Sequence, residues 1–350
     1  MKQALILIAV VFPALLGCLN GVDPEKDPTN PVTGIAGSDE VRSFLGGSAG
    51  KLVFVNVSGS RRTLCMIDFA FDPPSFTEYT DAKNVFMPVI SPDGKYVAYC
   101  TNNEGQSGPC ATMIRPVDVH SMPVSLHADP AYIPRWWVHP VTRDTCIVYT
   151  NSATYNESVS WQSTGTFRQK VQAGIPVGSG EVLADDGSFH DGLSRDGTFL
   201  VTGFNRLLVK NLRSGSVRQL FTFPGNGKDS LGSTQVCNVS LSPDTGVDVR
   251  CLFLDFGCPG AITLTGSSYG IHQYLFISNL ADSVVGYIKC PEQEQTWEYA
   301  EWSNHPDYAV ACLRNNAGKS HAIALVNITD GTRLVVASGT ELQHPALHLE

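Results

Sequence analysis

The stretch Phe86-Met-Pro-Val-Ile-Ser-Pro-Asp-Gly-Lys-Tyr-Val-Ala-Tyr-Cys100 contains two apolar runs separated by a polar turn. It predicts two antiparallel strands joined by a tight hairpin, because the turn Pro fixes φ and the Gly accepts a positive φ. Looser copies of this hairpin repeat start near five further residues: Tyr132, Phe189, Val236, Glu298 and Leu342. Their turns recur about every 50 residues, and a period of that length with several short strands is typical of a β-propeller.

The last copy, Leu342–Leu349, is only half a repeat. After Gly50 the chain instead begins with three strand-like runs, 52–57, 64–69 and 76–80, which lack an innermost partner. Placing the C-terminal strand beside residues 52–57 completes one blade from both chain ends and pairs edges that would otherwise recruit foreign strands. We therefore predict an all-β, six-bladed, monomeric propeller over residues 49–350, closed by the C-terminal strand.

Short apolar runs without strict alternation support stacked blades. Val97–Tyr99, Phe199–Val201, Cys251–Leu254 and Tyr308–Cys312 have no regularly spaced polar face. Such runs indicate strands that are packed on both faces, as in a blade between two neighbours. After residue 50 the sequence has no long stretch of helical periodicity, which agrees with an all-β domain.

The N-terminus has the features of an export signal. Lys2 precedes an apolar run from Ala4 to Leu16, which is too short for a membrane-spanning helix. The run ends in Leu15-Leu-Gly-Cys18, which resembles the lipobox of bacterial lipoproteins, where the Cys is acylated. We therefore expect a signal peptide over 1–17 and a lipid anchor on Cys18 that holds the protein on the bacterial cell envelope. Leu19 is not the Asp that favours inner-membrane retention, so the outer membrane is the expected location.

Residues 18–48 are rich in Pro, Gly, Asn and Asp. Their few apolar side chains predict a flexible tether rather than part of a core. The formal charge of −9 argues against nucleic acid or an anionic lipid surface as a main partner.

Ser91-Pro-Asp-Gly-Lys-Tyr-Val-Ala-Tyr99 resembles the repeat of TolB-like, or PD40, propellers, which are relatives of the WD40 repeat. Ser194-Arg-Asp-Gly197 and Ser242-Pro-Asp244 match it more loosely. The closing Gln343-His-Pro-Ala-Leu347 and the lipoprotein start are also similar to a paralogous lipoprotein family of fibre-degrading rumen bacteria. The resemblance implies a TolB-like propeller and no catalytic motif, because these repeats are structural.

The ten Cys residues do not indicate a general disulfide framework. Without Cys18 an odd number is left, and several occupy apolar strand positions, where Cys is an ordinary small buried residue. A disulfide between Cys100 and Cys110 is plausible, because Cys100 ends one strand and Cys110 begins the next. The sequence has no Cys-x-x-Cys motif with a second Cys pair, so a structural zinc site is not expected.

Candidate functional side chains lie where the innermost strands begin, because those ends line the mouth of the central channel. Reading this position along the six repeats gives one set of residues: Met87, Ile133, His190, Cys237, Tyr299 and His344. Polar neighbours form a second set: Arg135, Asp191, Asn238, Glu298, Glu301 and Gln343. Three interpretations remain open at this point, namely a hydrated lining, a ligand-binding mouth and a catalytic site. The two His with nearby carboxylates would suit a divalent metal, although no metal ligand set or other cofactor is assigned.

Two classes of function follow. The favoured one is a non-enzymatic binding or scaffold module for an envelope protein or glycan, because loops between rigid blades present a broad surface. The alternative is an envelope enzyme, a glycan lyase or hydrolase, with its site in the channel mouth. Convergence of His190, His344, Glu298 and Glu301 would favour the enzyme.

The lipobox gives a direct prediction. Replacing Cys18 with Ser removes the thiol that would accept the lipid, so the variant accumulates as an unacylated precursor while the wild type incorporates labelled fatty acid. Fatty-acid labelling followed by gel fluorography measures this. Equal labelling of the two chains would contradict the anchor.

Overall fold

Six antiparallel sheets make up most of the molecule. The structure, a computed structural model, describes residues 32–350 except 83, 103–108, 127, 129, 152–164, 186–191, 204–206, 223–235 and 292–294. Before the first sheet lie strand β1 (Gly34–Ile35) and helix α1 (Ser38–Phe44). Among the described residues, the other helical segments are the short α2 (Ile262–Thr265) and two single 3₁₀ turns, Gly246–Asp248 and Pro259–Ala261. Within the described part of the chain, no helix has the length and apolar character needed to cross a membrane.

The sheets are the blades of a propeller and are numbered along the chain. Blade 1 begins with β2 (Gly50–Ser58), β3 (Arg61–Asp68) and β4 (Ser75–Tyr79). Blade 2 contains β5 (Phe86–Ile90), β6 (Tyr96–Cys100), β7 (Thr112–Pro116) and β8 (Val124–Ser125). Blade 3 contains β9 (Tyr132–Val138), β10 (Thr145–Thr150), β11 (Thr166–Gln172) and β12 (Ile175–Ala184).

The remaining blades have the same strand order, from the innermost strand outwards. Blade 4 contains β13 (Gly192–Leu193), β14 (Phe199–Thr202), β15 (Leu207–Asn211) and β16 (Val217–Leu220). Blade 5 contains β17 (Val236–Leu241), β18 (Arg250–Asp255), β19 (Tyr274–Asn279) and β20 (Val284–Lys289). Blade 6 contains β21 (Thr296–Trp302), β22 (Tyr308–Arg314), β23 (Ser320–Asn327) and β24 (Arg333–Ser338).

The final strand, β25 (Leu342–Leu349), is the innermost strand of blade 1. It pairs antiparallel with β2, from Gly50 opposite Leu349 to Asn56 opposite Leu342. Neighbouring blades contact one another in chain order, and β25 contacts both β21 of blade 6 and β5 of blade 2. The ring is therefore closed, and the predictions of six blades and of closure by the C-terminal strand are confirmed.

In blades 2, 4 and 5 the hairpin repeat is held by a Ser side chain just after the innermost strand. In blade 4 the backbone N–H of Phe199 donates to Ser194 Oγ at 2.9 Å, and that hydroxyl donates to Asp196 at 2.7 Å. In blade 2 the backbone N–H of Tyr96 donates to Ser91 Oγ at 2.9 Å. The repeated Ser and Asp therefore satisfy the turn's backbone donors, which explains why the turn recurs with these residues.

The last part of the predicted tether belongs to the propeller. β1 pairs with β24 as a fifth strand of blade 6, with Gly34 opposite Ser338. Val41 and Leu45 from and just after α1 are buried in the apolar cluster that blades 1 and 6 share. The sequence predicts a tether over residues 18–48. That prediction is wrong for residues 32–48, because Val41 and Leu45 lie one helical turn apart and are both buried in this cluster. Residues 1–31, with Cys18, lie outside the described part of the chain.

Loss of the closing strand should unfold the ring. Deleting Leu342–Glu350 exposes the inner edge of β2 and the core of blade 1, so we expect no cooperative melting at the wild-type temperature. The milder change Leu342→Ala, at a fully buried position, should lower the free energy of unfolding by about 2–5 kcal/mol.

Urea unfolding followed by circular dichroism measures both variants. The matched control is Val285→Ala on β20, where the side chain is exposed and the expected change is below about 0.5 kcal/mol. An unaltered transition after deletion of the strand would contradict the ring.

Candidate functional site at the mouth of the propeller channel

The innermost strands share a β-bulge near their first residues. In β5, Phe86 pairs with Cys100 and Val89 with Ala98, so the inner strand has one residue more than its partner. The same irregularity occurs in β9, β17, β21 and β25. A bulge bends its strand and redirects side chains. Five innermost strands are therefore bent at the same level around one axis.

At each bulge one residue other than glycine has a positive φ. These residues share φ values of 49–55° and are Met87, Ile133, Asn238, Tyr299 and His344. A positive φ is uncommon for non-glycine residues, and for β-branched Ile133 it is a clear outlier. Such conformations cost about 1–3 kcal/mol each and cluster at functional sites. This repeated strain marks the channel mouth as the candidate site.

Four of the five bulged residues, all except the buried Ile133, line a depression on the propeller axis, called the mouth depression below. Its empty volume is about 330 Å³, including the open entrance, and its lining comes from five blades. The lining residues are Met87, Pro88, Arg135, Asn238, Tyr299, Ala300, Glu301, His344 and Pro345. Most of this volume is open to solvent, and its enclosed part has room for about one water molecule. The depression is therefore a shallow recess that presents its lining as a surface.

An ion pair forms part of the lining of the depression. Arg135 of blade 3 contacts Glu301 of blade 6 directly. Blades 3 and 6 face each other in a ring of six, so this pair bridges the channel. Ser240 of blade 5 donates to the other carboxylate oxygen of Glu301 at 2.9 Å. Three blades are thereby connected by polar side chains at the axis.

Burial raises the pKa of Glu301 above its ordinary value, although Arg135 and the Ser240 hydroxyl both favour the ionised carboxylate. A buried carboxylate and guanidinium stay charged only when each satisfies the other, so their contact is a strong constraint on the two blades. In the same lining, the rings of Tyr299 and His344 lie with their centroids 4.1 Å apart.

The structure brings together three of the six predicted binding residues. Arg135, Glu301 and His344 all line the mouth depression. Glu298 does not, because it is buried and turned towards His272 Nδ1 at 3.1 Å and towards Arg314, which donates at 2.9 Å. The assignment of Glu298 to the mouth is therefore corrected.

One repeat is shifted by one residue from the predicted alignment. In the fourth repeat, the sequence predicts Cys237 at the start of the innermost strand, in line with Met87 and Tyr299. In the structure the bulged residue there is Asn238, and Cys237 pairs regularly with Leu254. Counting four residues back from the turn Ser, as from Ser91 to Met87 or from Ser242 to Asn238, finds the bulge. That spacing is the signal that could have found Asn238. The role of Ser240 had no such signal.

The other predicted site residues have different outcomes. His190 and Asp191 lie outside the described residues, so their place at the mouth stays a prediction. Cys100 and Cys110 are buried in one cluster, and the thiol of each lies near the Asn102 carbonyl oxygen, at 3.3 and 3.8 Å. Their pairing also stays a prediction. No three His, Cys, Asp or Glu side chains in the described ranges form a group that could hold a metal ion.

Comparison with known proteins agrees with this fold. No protein-family model matches the sequence, and no curated protein sequence matches it. The structure is similar to TolB from Acinetobacter baumannii, with a TM-score of 0.55 and 14% identity over 89% of this chain and 70% of that chain. A putative TolB from Agrobacterium tumefaciens has a TM-score of 0.47 and 13% identity over 87% of this chain and 99% of that chain.

A third similar structure is the hydrazine synthase of Kuenenia stuttgartiensis, with a TM-score of 0.52 and 11% identity. The match covers 86% of this chain and 46% of that chain. At such low identity the likeness concerns the fold alone. The fold is thus a six-bladed β-propeller similar to that of TolB, as the hairpin repeat predicts.

The ion pair across the channel gives a prediction about stability. Replacing either Arg135 or Glu301 with Ala leaves the other charge buried without its partner, which should cost about 3–5 kcal/mol of unfolding free energy. The double variant should cost clearly less than the sum, with a coupling energy of about 1–3 kcal/mol. Urea unfolding of the four chains measures this.

The matched control is the exposed pair Arg168–Glu181 on blade 3, which has a distance of 2.9 Å. Its double-mutant cycle should give a coupling below about 1 kcal/mol, because water screens both charges. Equal coupling energies for the two pairs would contradict a special role of the pair at the axis.

Proposed function

We propose that this chain is a lipid-anchored binding module of the bacterial cell envelope that engages a partner through the mouth of its propeller. The observation that supports this is the mouth depression, in which four of the five strained bulges contribute side chains around an axial ion pair. Loops and strand ends on a rigid scaffold are the usual carriers of binding residues. Strain that recurs in five blades is kept only if the surrounding structure fixes it.

The chemistry of the mouth favours a partner group that is part apolar and part polar. Met87 and Tyr299 supply apolar and aromatic surface, while Asn238 and His344 supply hydrogen-bonding groups. The depression is shallow, so a protein partner that covers it with a mixed apolar and polar side chain fits it best. A glycan would place one sugar ring there, with the aromatic ring of Tyr299 as a stacking surface.

The anchor is part of the same proposal. Leu15-Leu-Gly-Cys18 supports acylation of Cys18, and the residue that follows it supports the outer membrane. A lipid on Cys18 would keep the propeller close to envelope partners. The alternative of a glycan lyase or hydrolase is less well supported, because Glu298 is not at the mouth and His344 packs against Tyr299.

Affinity capture from detergent-solubilised envelope tests the module. The bait is the full-length lipidated chain, compared with the double variant Tyr299→Ala, His344→Ala. A specific protein partner should be recovered by the wild type and reduced at least tenfold by the double variant, since both rings lie at the mouth. Quantitative mass spectrometry of the eluates measures recovery.

The matched control is Val141→Ser, an exposed position in the turn after β9, at the other end of the channel. It should retain the partner. Binding of cell-wall or plant polysaccharides that depends on Tyr299, with no protein captured, would favour the glycan instead. Capture that is equal for all three chains would contradict binding at the mouth.

A further inference from the structure

Beside the mouth, three side chains form a continuous hydrogen-bonded row. Cys237 Sγ lies 3.1 Å from His272 Nε2, and His272 Nδ1 lies 3.1 Å from Glu298 Oε1. The residues come from three separate segments: Cys237 from β17, His272 from the loop before β19, and Glu298 from β21. A thiol, an imidazole and a carboxylate in this order are the parts of an activated nucleophile, its base and the group that orients the base.

Two backbone hydrogen bonds fix the main chain of His272, which carries the imidazole. The N–H of His272 donates to the Asp255 carbonyl at 2.9 Å, and the N–H of Trp297 donates to the His272 carbonyl at 2.9 Å. His272 has a positive φ of 55°, which is a strained conformation for this residue. The edge of the Phe256 ring packs on the imidazole with centroids 4.9 Å apart. The ring orientation is therefore fixed by its surroundings.

Glu298 is suited to orient this imidazole. Burial acts to raise the pKa of Glu298, but the hydrogen bonds from His272 and Arg314 and the charge of Arg314 outweigh it and lower that pKa. It is therefore a carboxylate at neutral pH and accepts a proton-bearing nitrogen. With Nδ1–H directed at Glu298, Nε2 has its lone pair towards Cys237 and can accept the thiol proton.

Cys237 also differs from the other thiols in exposure. Of the nine cysteines in the described part of the chain, Cys237 alone is half-exposed, and the other eight are buried. Burial raises the pKa of the Cys146 and Cys312 thiols, which keeps them protonated and unreactive. Among these nine thiols, an external reagent therefore meets one that is partly exposed, and that thiol contacts an imidazole.

We propose that Cys237 is a nucleophile that accepts acyl groups, with His272 as its base and Glu298 as the residue that positions His272. The thiol proton moves to His272 Nε2, and the sulfur forms a bond to the carbonyl carbon of an ester. The bond from that carbon to the ester oxygen breaks, and the imidazolium returns its proton to the departing alkoxide. The acyl group remains on Cys237 as a thioester.

This site is separate from the axial ion pair but adjacent to the mouth. Asn238, which lines the mouth depression, follows Cys237 directly in the chain. Both imidazole nitrogens of His272 are engaged, one towards sulfur and one towards carboxylate, which is a proton-transfer arrangement rather than a metal site. The charged groups that influence His272 are Glu298, which it contacts, and Asp255, while Arg314 acts through Glu298.

The test uses the full-length protein in detergent and p-nitrophenyl acetate. We expect a burst of about one p-nitrophenolate per chain and, by peptide mass spectrometry, one acetyl group on Cys237. His272→Gln should slow the burst at least about 100-fold, because base catalysis is lost. Glu298→Gln should slow it less and shift its pH profile, which a purely structural change would not do. Cys237→Ser should abolish the labelled peptide.

The matched control is His305→Gln, which removes an exposed imidazole in blade 6 and should leave the burst unchanged. If the His272 variant does not fold, the wild type still decides the question through its rate of alkylation by iodoacetamide between pH 5 and 10. A midpoint for Cys237 at least one pH unit below the ordinary thiol value of about 8.5 supports the pair. A midpoint at or above that value, or acetyl groups on other residues only, would overturn the proposal.

Discussion

The antiparallel pairing of β25 with β2 is the contact on which the rest of the structure depends. It joins the last strand of the chain to the first strand of blade 1, and every described innermost strand in the ring then has a hydrogen-bonded neighbour. Without it, blades 1 and 6 would lose their shared apolar cluster, and the six innermost strands would no longer surround one axis. Both the mouth depression and the row of side chains at Cys237 require that closed geometry. The depression takes residues from five blades, and the row takes residues from blades 5 and 6.

The closed ring also explains how strain can persist at the mouth. Five bulges with positive φ values would relax in isolated hairpins, since each costs free energy. In the ring, the bulged residues are held by neighbours on both sides. Arg135 of blade 3 and Glu301 of blade 6 add a charged contact across the axis. The propeller is therefore a rigid frame whose least relaxed residues are the ones presented to a partner.

Two neighbouring regions of the molecule carry different chemistry. The mouth depression offers apolar, aromatic and amide surface around a neutralised ion pair, which suits reversible binding. The row from Cys237 through His272 to Glu298 offers a thiol beside a base, which suits covalent chemistry. They share the bulge of β17, where Cys237 precedes Asn238. A partner seated at the mouth would lie near that thiol.

The amino-acid sequence by itself determined the architecture. The Ser-Pro-Asp-Gly turn, the apolar runs and the half repeat at Leu342–Leu349 predict six blades and their closure, because turn chemistry and strand patterning are local properties. The repeat alignment also located Met87, Tyr299 and His344 at the mouth. Only the tertiary structure decided that Arg135 meets Glu301, that Glu298 turns to His272, and that residues 32–48 join the core. Those contacts connect segments far apart in the chain, and nothing in the spacing of nine His and ten Cys residues specifies which of them meet.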